Sequence, residues 1–340
     1  MHDRLLKILL DIADVRLVAS YTDDGLGLPA DSIQVFLPDL HLLSAERREL
    51  YRYGTNYADT LLIDLTEALL RLRRDARADG RRVNVFQIGD YLDLWRQTLL
   101  PRLDPSVPDQ IKDSHQKLTE LLEDPALNTG FLLGNHDFDL GEFVGYNAWE
   151  RRFFLPGNDP RVIVMHGDYF DWIERALPEE IRDVAVYLFG QSAQAGSALI
   201  GKMRDLTYRT NHADYSGFIQ LQQPAVLGSL GSHEENDLSG DFNVQNLDSG
   251  EGAKFLEKAC AECAQVNRDS GSKLRMVVIG HTHHARIAAT RMADGTPFAL
   301  VDIGAWIENC VETEGSAPIP NAQIAALAEN QARIYQLSPK

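Results

Sequence analysis

Five short segments carry the residues whose types and spacing could do chemistry: Asp39-Leu-His41, Gly89-Asp90-Tyr-Leu-Asp93, Gly134-Asn135-His136-Asp137, His166-Gly167-Asp168 and Gly280-His281-Thr-His283. Each follows an apolar run. Carboxylate oxygens, imidazole nitrogens and a carboxamide oxygen are the donors that divalent cations such as manganese, iron, zinc or magnesium accept. Two ions a few ångströms apart need ligands from both sides and one carboxylate shared between them. Asp90 is the candidate for the shared position. Asp39 and His41 alternate on an extended segment, so both reach one ion only if the chain turns at once after the strand. Leu37-Pro38-Asp39-Leu40-His41 permits that turn. His283 would complete this ion's set, with Asn135, His166 and His281 holding the second. A single Asp or His after a strand ordinarily caps a turn, and Asn135 alone between Gly134 and His136 would read as a turn residue. Five such segments in one chain favour the metal reading.

The elements that must position these residues follow from the hydrophobic pattern. Short runs of strand character alternate with amphipathic stretches: Ile33 to Leu37, a helix from Tyr57 to Ala78, Val83 to Ile88, a helix from Gln110 to Glu123, and Phe131 to Leu133. Val162 to Met165, Met276 to Ile279 and Phe298 to Ile303 are compact aliphatic runs of the kind central strands show. Such alternation predicts a sheet covered by helices, with the five segments gathered beyond the carboxyl ends of the strands. Ala285 to Thr290 and Pro297 to Ile303 flank Asp294-Gly295, and Gln323 to Leu327 and Ala332 to Leu337 flank Glu329-Asn330. These two hairpin patterns predict a second sheet, mixed or antiparallel, packed on the first. Residues 172–250 differ in texture. Glu179 to Tyr208 is helical in pattern and Gly228 to Gly252 is rich in Gly, Ser, Asn and Asp, as expected of a cap inserted into one domain spanning residues 1–340.

Composition narrows the partners. The chain has 340 residues and a formal charge of −17, from 33 Lys plus Arg against 50 Asp plus Glu. That balance repels a bare phosphate backbone and disfavours duplex nucleic acid. Bound cations would reverse the sign locally, so an acidic shell still admits a phosphorylated substrate. Of three cysteines, Cys260 and Cys263 share a helical face with Phe255, Leu256, Ala259 and Val266 and read as packing residues. The reducing cytoplasm is the expected compartment. The N-terminal pattern, broken by Asp3, Asp11 and Asp14, predicts an amphipathic helix and not a signal peptide. No apolar run reaches the ~20 residues of a membrane span. Peripheral attachment to the inner face of a membrane is left open.

In order and spacing the five segments resemble the calcineurin-like metallophosphoesterases, whose pattern runs Asp-x-His, Gly-Asp-x-x-Asp, Gly-Asn-His-Asp/Glu, a lone His and Gly-His-x-His. The resemblance covers about Ile33 to Ile307. It implies an α/β protein built as a four-layer α/β/β/α sandwich of two mixed sheets with a dinuclear centre, manganese first among its ions. On that resemblance Asp39, His41, Asp90 and His283 hold one ion and Asp90, Asn135, His166 and His281 the other. The implied chemistry is hydrolysis of a phosphate ester or pyrophosphate by a hydroxide bridging the ions, in line with the leaving oxygen. His136, assigned to neither ion, is the candidate proton donor, and Asp93 is placed to orient it, as in family members that pair these positions. Asp137 and Asp168 are expected to hold loops and histidines in place.

Within the superfamily, Leu94 and Trp95 after Asp93, and Asp137 after His136, depart from the protein Ser/Thr phosphatase pattern. The Gly-Asp-x-x-Asp-x-Trp segment, His166-Gly-Asp-Tyr-Phe-Asp171 and Gly304-Ala-Trp-Ile-Glu-Asn-Cys310 are more similar to the group related to UDP-2,3-diacylglucosamine diphosphatase. That similarity implies a nucleotide-linked, lipid-bearing substrate held under the insertion, where Val184, Val186, Leu188, Phe189 and Ile200 stand beside Lys202, Arg204 and Arg209. Departures are His136 in place of Arg, greater length, and His284 where a basic residue follows Gly-His-Thr-His. A helical lid packed on the sandwich would produce the same pattern. The competing functions are a DNA-end nuclease carrying the same five motifs, disfavoured by the acidic balance, and a binding scaffold that has lost catalysis, disfavoured because all seven ligand positions are intact.

Overall fold

The computed structural model of the chain describes residues 1–46, 56–97, 106–137, 140, 145–146, 149–150, 152–156, 159–170, 251–306 and 322–340. The expected cap, 172–250, lies outside the described residues, as do Asp171 and the Ile307-Glu-Asn-Cys310 end of the Gly304 segment. Among the described residues no helix is long and apolar enough to cross a membrane.

Among the described residues the protein is a mixed α/β structure with two mixed sheets. Helix α1 (His2–Ile12) leads into β1 (Asp14–Thr22) and β2 (Ser32–Leu37), then α2 (Asn56–Ala78), β3 (Arg82–Gln87), α3 (Leu94–Gln97), α4 (Val107–Ser114), α5 (Gln116–Leu122) and β4 (Gly130–Phe131). Next come β5 (Arg152–Leu155), β6 (Val162–Met165), α6 (Glu251–Ser270), β7 (Met276–Ile279), β8 (Ala285–Arg291), β9 (Pro297–Ile303), β10 (Gln323–Ala328) and β11 (Gln331–Ser338). One sheet runs β1-β11-β10-β2-β3-β4 and the other β5-β6-β7-β9-β8. In the first sheet β2, β3 and β4 are parallel; in the second, β6, β7 and β9 are. The loops that carry the five segments follow β2, β3, β4, β6 and β7 at their carboxyl ends.

The period-2 alternation of each central strand sorts its side chains between two cores. On β2, Ile33, Val35 and Leu37 join Leu61, Leu62, Leu65, Leu69 and Leu72 of α2 and Leu5 and Leu9 of α1. From the opposite face Phe36 stacks on Phe86, 5.5 Å between ring centres, in a second core shared with Val164, Val278, Val301 and Leu327. Strand β7 divides the same way: Met276 and Val278 face that shared core, while Val277 and Ile279 meet Phe255, Leu256, Ala259, Cys260 and Cys263 of α6. The two cysteines are free thiols within this packing, as their helical spacing predicts.

Four expectations are revised. The C-terminal hairpin, β10 and β11, joins the first sheet, with β10 antiparallel to β2, whereas the β8–β9 hairpin lies in the second. The helix expected from Gln110 to Glu123 is interrupted at His115, which leaves helical geometry (φ −129°, ψ 30°) and places its ring Nε2 2.8 Å from the Leu43 carbonyl. The strand expected at Phe131 to Leu133 pairs with β3 at Gly130 and Phe131 and ends with Leu132 N–H donating to the Gln87 carbonyl at 2.9 Å, after which Leu133 N–H turns to the Glu150 carbonyl. Finally, the N-terminal helix ends at Ile12, and Asp14 already opens β1, an edge strand paired with β11.

Candidate metal centre

Each loop is held in place by bonds that do not involve the candidate ligand atoms alone. Asp39 follows β2 in a parallel bridge to Ala305, its carbonyl accepting from Trp306 N–H at 2.8 Å, which ties the first sheet's loop to the end of β9. His41 N–H donates to the Asp90 carbonyl at 2.8 Å, so the first two segments are stitched together. Gln87, the last residue of β3, donates its side-chain amide to the Gly89 carbonyl at 2.7 Å and the Pro38 carbonyl at 3.3 Å. Asp137 is fully buried and accepts from Tyr91 N–H and Gly134 N–H, both at 2.7 Å, joining the second segment to the third. The glycines leave room that no side chain could share. A Cβ at Gly134 would stand 2.2 Å from Asp90 Oδ1, and one at Gly280 2.1 Å from Asp39 Oδ1.

All seven residues expected to hold metal converge. His41 Nε2 is 3.2 Å from His283 Nε2 and 3.4 Å from Asp90 Oδ2, and His283 Nε2 is 3.4 Å from Asp39 Oδ2. On the other side His166 Nε2 is 3.2 Å from Asp90 Oδ2, 2.9 Å from Asn135 Oδ1 and 3.3 Å from His281 Nδ1, and Asn135 Oδ1 is 3.2 Å from His281 Nδ1. Asp90 Oδ2 faces both sets. Among the described residues three overlapping groups have donor atoms all within 4.8 Å of one another and could hold a metal ion: Asp39, His41 and His283; His41, Asp90 and His136; Asp39, Asp90 and His166. Asp39, His41, Asp90, Asn135 and His166 are buried.

The backbone is strained where the ligand candidates sit. His41, Asp90, His281 and His283 have φ of 45°, 50°, 68° and 60°, in the left-handed region that non-glycine residues rarely adopt. Such conformations cost of order 1 kcal/mol or more each and persist where the surroundings over-determine them.

The charges are strongly perturbed. Burial pushes His41 down to about 4, only partly offset by Asp90 and Asp93. His166 goes the other way: burial opposes its charge, yet the Asp90 and Asp39 carboxylates hold it well above the ordinary value. Burial would raise Asp90, but the imidazoles of His166, His136 and His41 keep it well below the usual carboxylate range. Asp137, buried and beside Asp90, is pushed up to about 7.

His136 and Asp93 are adjacent as expected, with His136 Nδ1 2.9 Å from Asp93 Oδ1. The second oxygen of Asp93 lies 3.1 Å from His41 Nδ1, so one buried carboxylate orients a ligand candidate and the proton-donor candidate together. His136 N–H also donates to Asp90 Oδ1 at 2.8 Å, and its side chain is 14% exposed. Asp168 begins a short 3-10 turn after β6 and adds negative charge near His166. Sequence reasoning did not find Gln87, the second contact of Asp93, or the pairing of Thr282 with Asp302. Asp302 left a signal, a lone acid inside the apolar run Phe298 to Ile303.

The residues fit a metal. Asp39 Oδ1 is buried and has no hydrogen-bond partner, and imidazole nitrogens face one another at 3.2 and 3.3 Å across two sets that share one carboxylate oxygen. Buried polar atoms are normally satisfied, so a buried carboxylate oxygen without a hydrogen bond amid converging nitrogens is compatible with a bound cation.

No protein-family model matches the chain, and no curated protein matches it. Among solved structures it is similar to a 5'-nucleotidase from Candida albicans SC5314, at 10% identity and a TM-score of 0.37, over 90% of this chain and 51% of that one. The chain thus spans about half the length of that protein.

Proposed function

We propose that the chain is a dinuclear-metal-dependent phosphohydrolase that cleaves a phosphate ester or pyrophosphate bond. The observation that carries this reading is the convergence of seven oxygen and nitrogen donors on two sets sharing Asp90, with His136 held beside them by Asp93. Asp39, His41, Asp90 and His283 are the ligands of one ion; Asp90, Asn135, His166 and His281 those of the other. Manganese is the first candidate for both, with iron, zinc or magnesium compatible with the donor set. When bound, the ions supply Lewis-acid activation of water near neutral pH and neutralise charge at phosphorus. His136, fixed through Nδ1 by the Asp93 carboxylate, donates a proton from Nε2 to the departing oxygen and so avoids release of an alkoxide or phosphate at full charge. The helix, sheet, sheet and helix faces buried in three successive cores support a four-layer α/β/β/α sandwich as the frame. A nucleotide-linked, lipid-bearing substrate is the finer reading that the sequence resemblance favours, and cytoplasmic residence suits the free thiols of Cys260 and Cys263. The test is metal content together with hydrolysis of p-nitrophenyl phosphate, its bis ester and a panel of nucleoside diphosphate conjugates. Hydrolysis that requires the metal is expected; a metal-loaded preparation that cleaves none of them sinks the proposal.

A further inference from the structure

The turn from Gly280 to His283 supplies two ligand candidates, and both histidines stand at positive φ. Its backbone is tied at three amides. Gly280 N–H donates to the His166 carbonyl at 2.9 Å, and Thr282 N–H folds back onto the Gly280 carbonyl at 2.8 Å. His281 N–H donates to Asp39 Oδ2 at 2.8 Å. What anchors the turn from behind is the side chain of Thr282. Its hydroxyl donates to Asp302 Oδ2 and accepts from His284 N–H at 3.2 Å, so one oxygen pins both ends of the His283 peptide segment.

Asp302 is an unusual residue for its place. It is wholly buried in β9, paired across the sheet with Ile279 on one side and Arg286 on the other. Arg286 Nη2 approaches Asp302 Oδ2 to 3.1 Å but is not aligned for a hydrogen bond, and Asp302 Oδ1 has no hydrogen-bond partner. A buried pair so incompletely satisfied is a poor stabiliser, because desolvating two charges is returned only by good geometry. The hydrogen bond of this acid is the one from Thr282. Ile279, opposite Asp302 in the register, is the residue immediately before the turn, so the acid is as close in the sheet to the loop as a strand residue can be.

We propose that Asp302, acting through the Thr282 hydroxyl, is the positioning residue that holds His281 and His283 in their strained conformation, ready for metal. The proposal rests on the phosphohydrolase reading for what the turn does, but not for the anchoring itself. Removing the hydroxyl lets the turn relax, and affinity falls because the histidines must be re-ordered on binding.

The experiment titrates metal-free protein with Mn2+, following the free ion by its electron paramagnetic resonance signal, and measures amide exchange of the same metal-free samples. Thr282→Val should weaken Mn2+ binding about tenfold or more, while Thr282→Ser, which keeps the hydroxyl, stays near the wild type. Exchange at the His284 amide should quicken about tenfold in Thr282→Val and not in Thr282→Ser. Asp302→Leu should weaken binding by itself yet add little in the Thr282→Val background. If Asp302→Leu fails to fold, the two Thr282 variants decide. Unchanged His284 exchange in Thr282→Val, or equal Mn2+ affinity across the series, overturns the proposal. A wild type that binds no Mn2+ or other divalent ion counts against the proposed function, and the exchange data then still judge the anchor.

Discussion

Asp90 and His136 are neighbours in space with separable proposed duties, and variants can part them. Asp90 Oδ2 faces both donor sets and Oδ1 accepts the His136 N–H, so the carboxylate organises everything around it. Asp90→Asn removes the charge while keeping the shape. It is expected to abolish metal retention, read as metal content after gel filtration, and activity with it. His136→Ala leaves the seven proposed ligands whole and should retain metal. Its turnover should fall about 10²–10⁴-fold on poor leaving groups, the usual contribution of a positioned acid, and much less on p-nitrophenyl esters, whose leaving oxygen needs no proton. Equal losses on both would refute the acid role. The ligand candidates were legible in the sequence because metal chemistry restricts the residue types so severely: Asp, His and Asn placed after one apolar run after another have little else to do together. Asp302, Gln87 and the second bond of Asp93 were not, because an acid or amide in an apolar run acquires its meaning from a partner that only the folded chain supplies.

Among the elements, the central strands announced themselves as short apolar runs, unbroken in β6 and β7 and carrying Gln34, Asn84, Gln87 or Asp302 in β2, β3 and β9, and all five lie where those runs lie. The break between α4 and α5 could not be read locally, since His115 is drawn out of helical geometry by a carbonyl 72 residues away. The loops that follow the strands are the least forgiving part of the fold. Gly134→Ala must displace Asp90, whose backbone nitrogen would lie 2.4 Å from the new Cβ. The expected result is a loss of about 1–3 kcal/mol in stability from overpacking, with loss of metal retention; an alanine variant that melts and binds metal like the wild type would show the contact to be soft. Helix α1 offers a pH test. His2 is buried, with Nε2 3.1 Å from the Gln331 carbonyl of β11, and burial pulls it from 6.5 down to about 4. Since its folded pKa lies below the unfolded one, the unfolded chain binds the extra proton between those values. Stability from this group is therefore present above 6.5 and lost as pH falls toward 4, by of order 3 kcal/mol. His2→Gln should flatten that part of the curve of melting temperature against pH, and a curve parallel to the wild type's would argue against it.

At the scale of the molecule, the site is a seam. Asp39, His41, Asp90, Asn135 and His136 come from loops of the first sheet, and His166, His281 and His283 from loops of the second. The two halves are held in register by the core between the sheets, to which Phe36, Val164, Val278, Val301 and Leu327 contribute, and by the bridge from Asp39 to Ala305. Ions that take ligands from both halves would bind the packed state and not the separated one, so metal and core should act on the same equilibrium. Leu327 is 1% exposed in that core. Leu327→Ala should cost about 2–5 kcal/mol in metal-free protein, seen as a lower denaturation midpoint. Mn2+ at about 100 times its dissociation constant should return about 2.7 kcal/mol to wild type and variant alike if unfolding is two-state. The variant's metal affinity separates two pictures of the seam. Where the sheets slide apart as a unit once the leucine is gone, affinity falls with stability, because the donors on the two sides lose their spacing. Where the loops are held by their own stitches, Asp39 to Trp306, Gln87 to Pro38 and Asp137 to Tyr91, affinity stays near wild type although the core is weakened. The density of those stitches favours the second outcome, and a Leu327→Ala protein whose Mn2+ affinity drops about tenfold while still folded would contradict it.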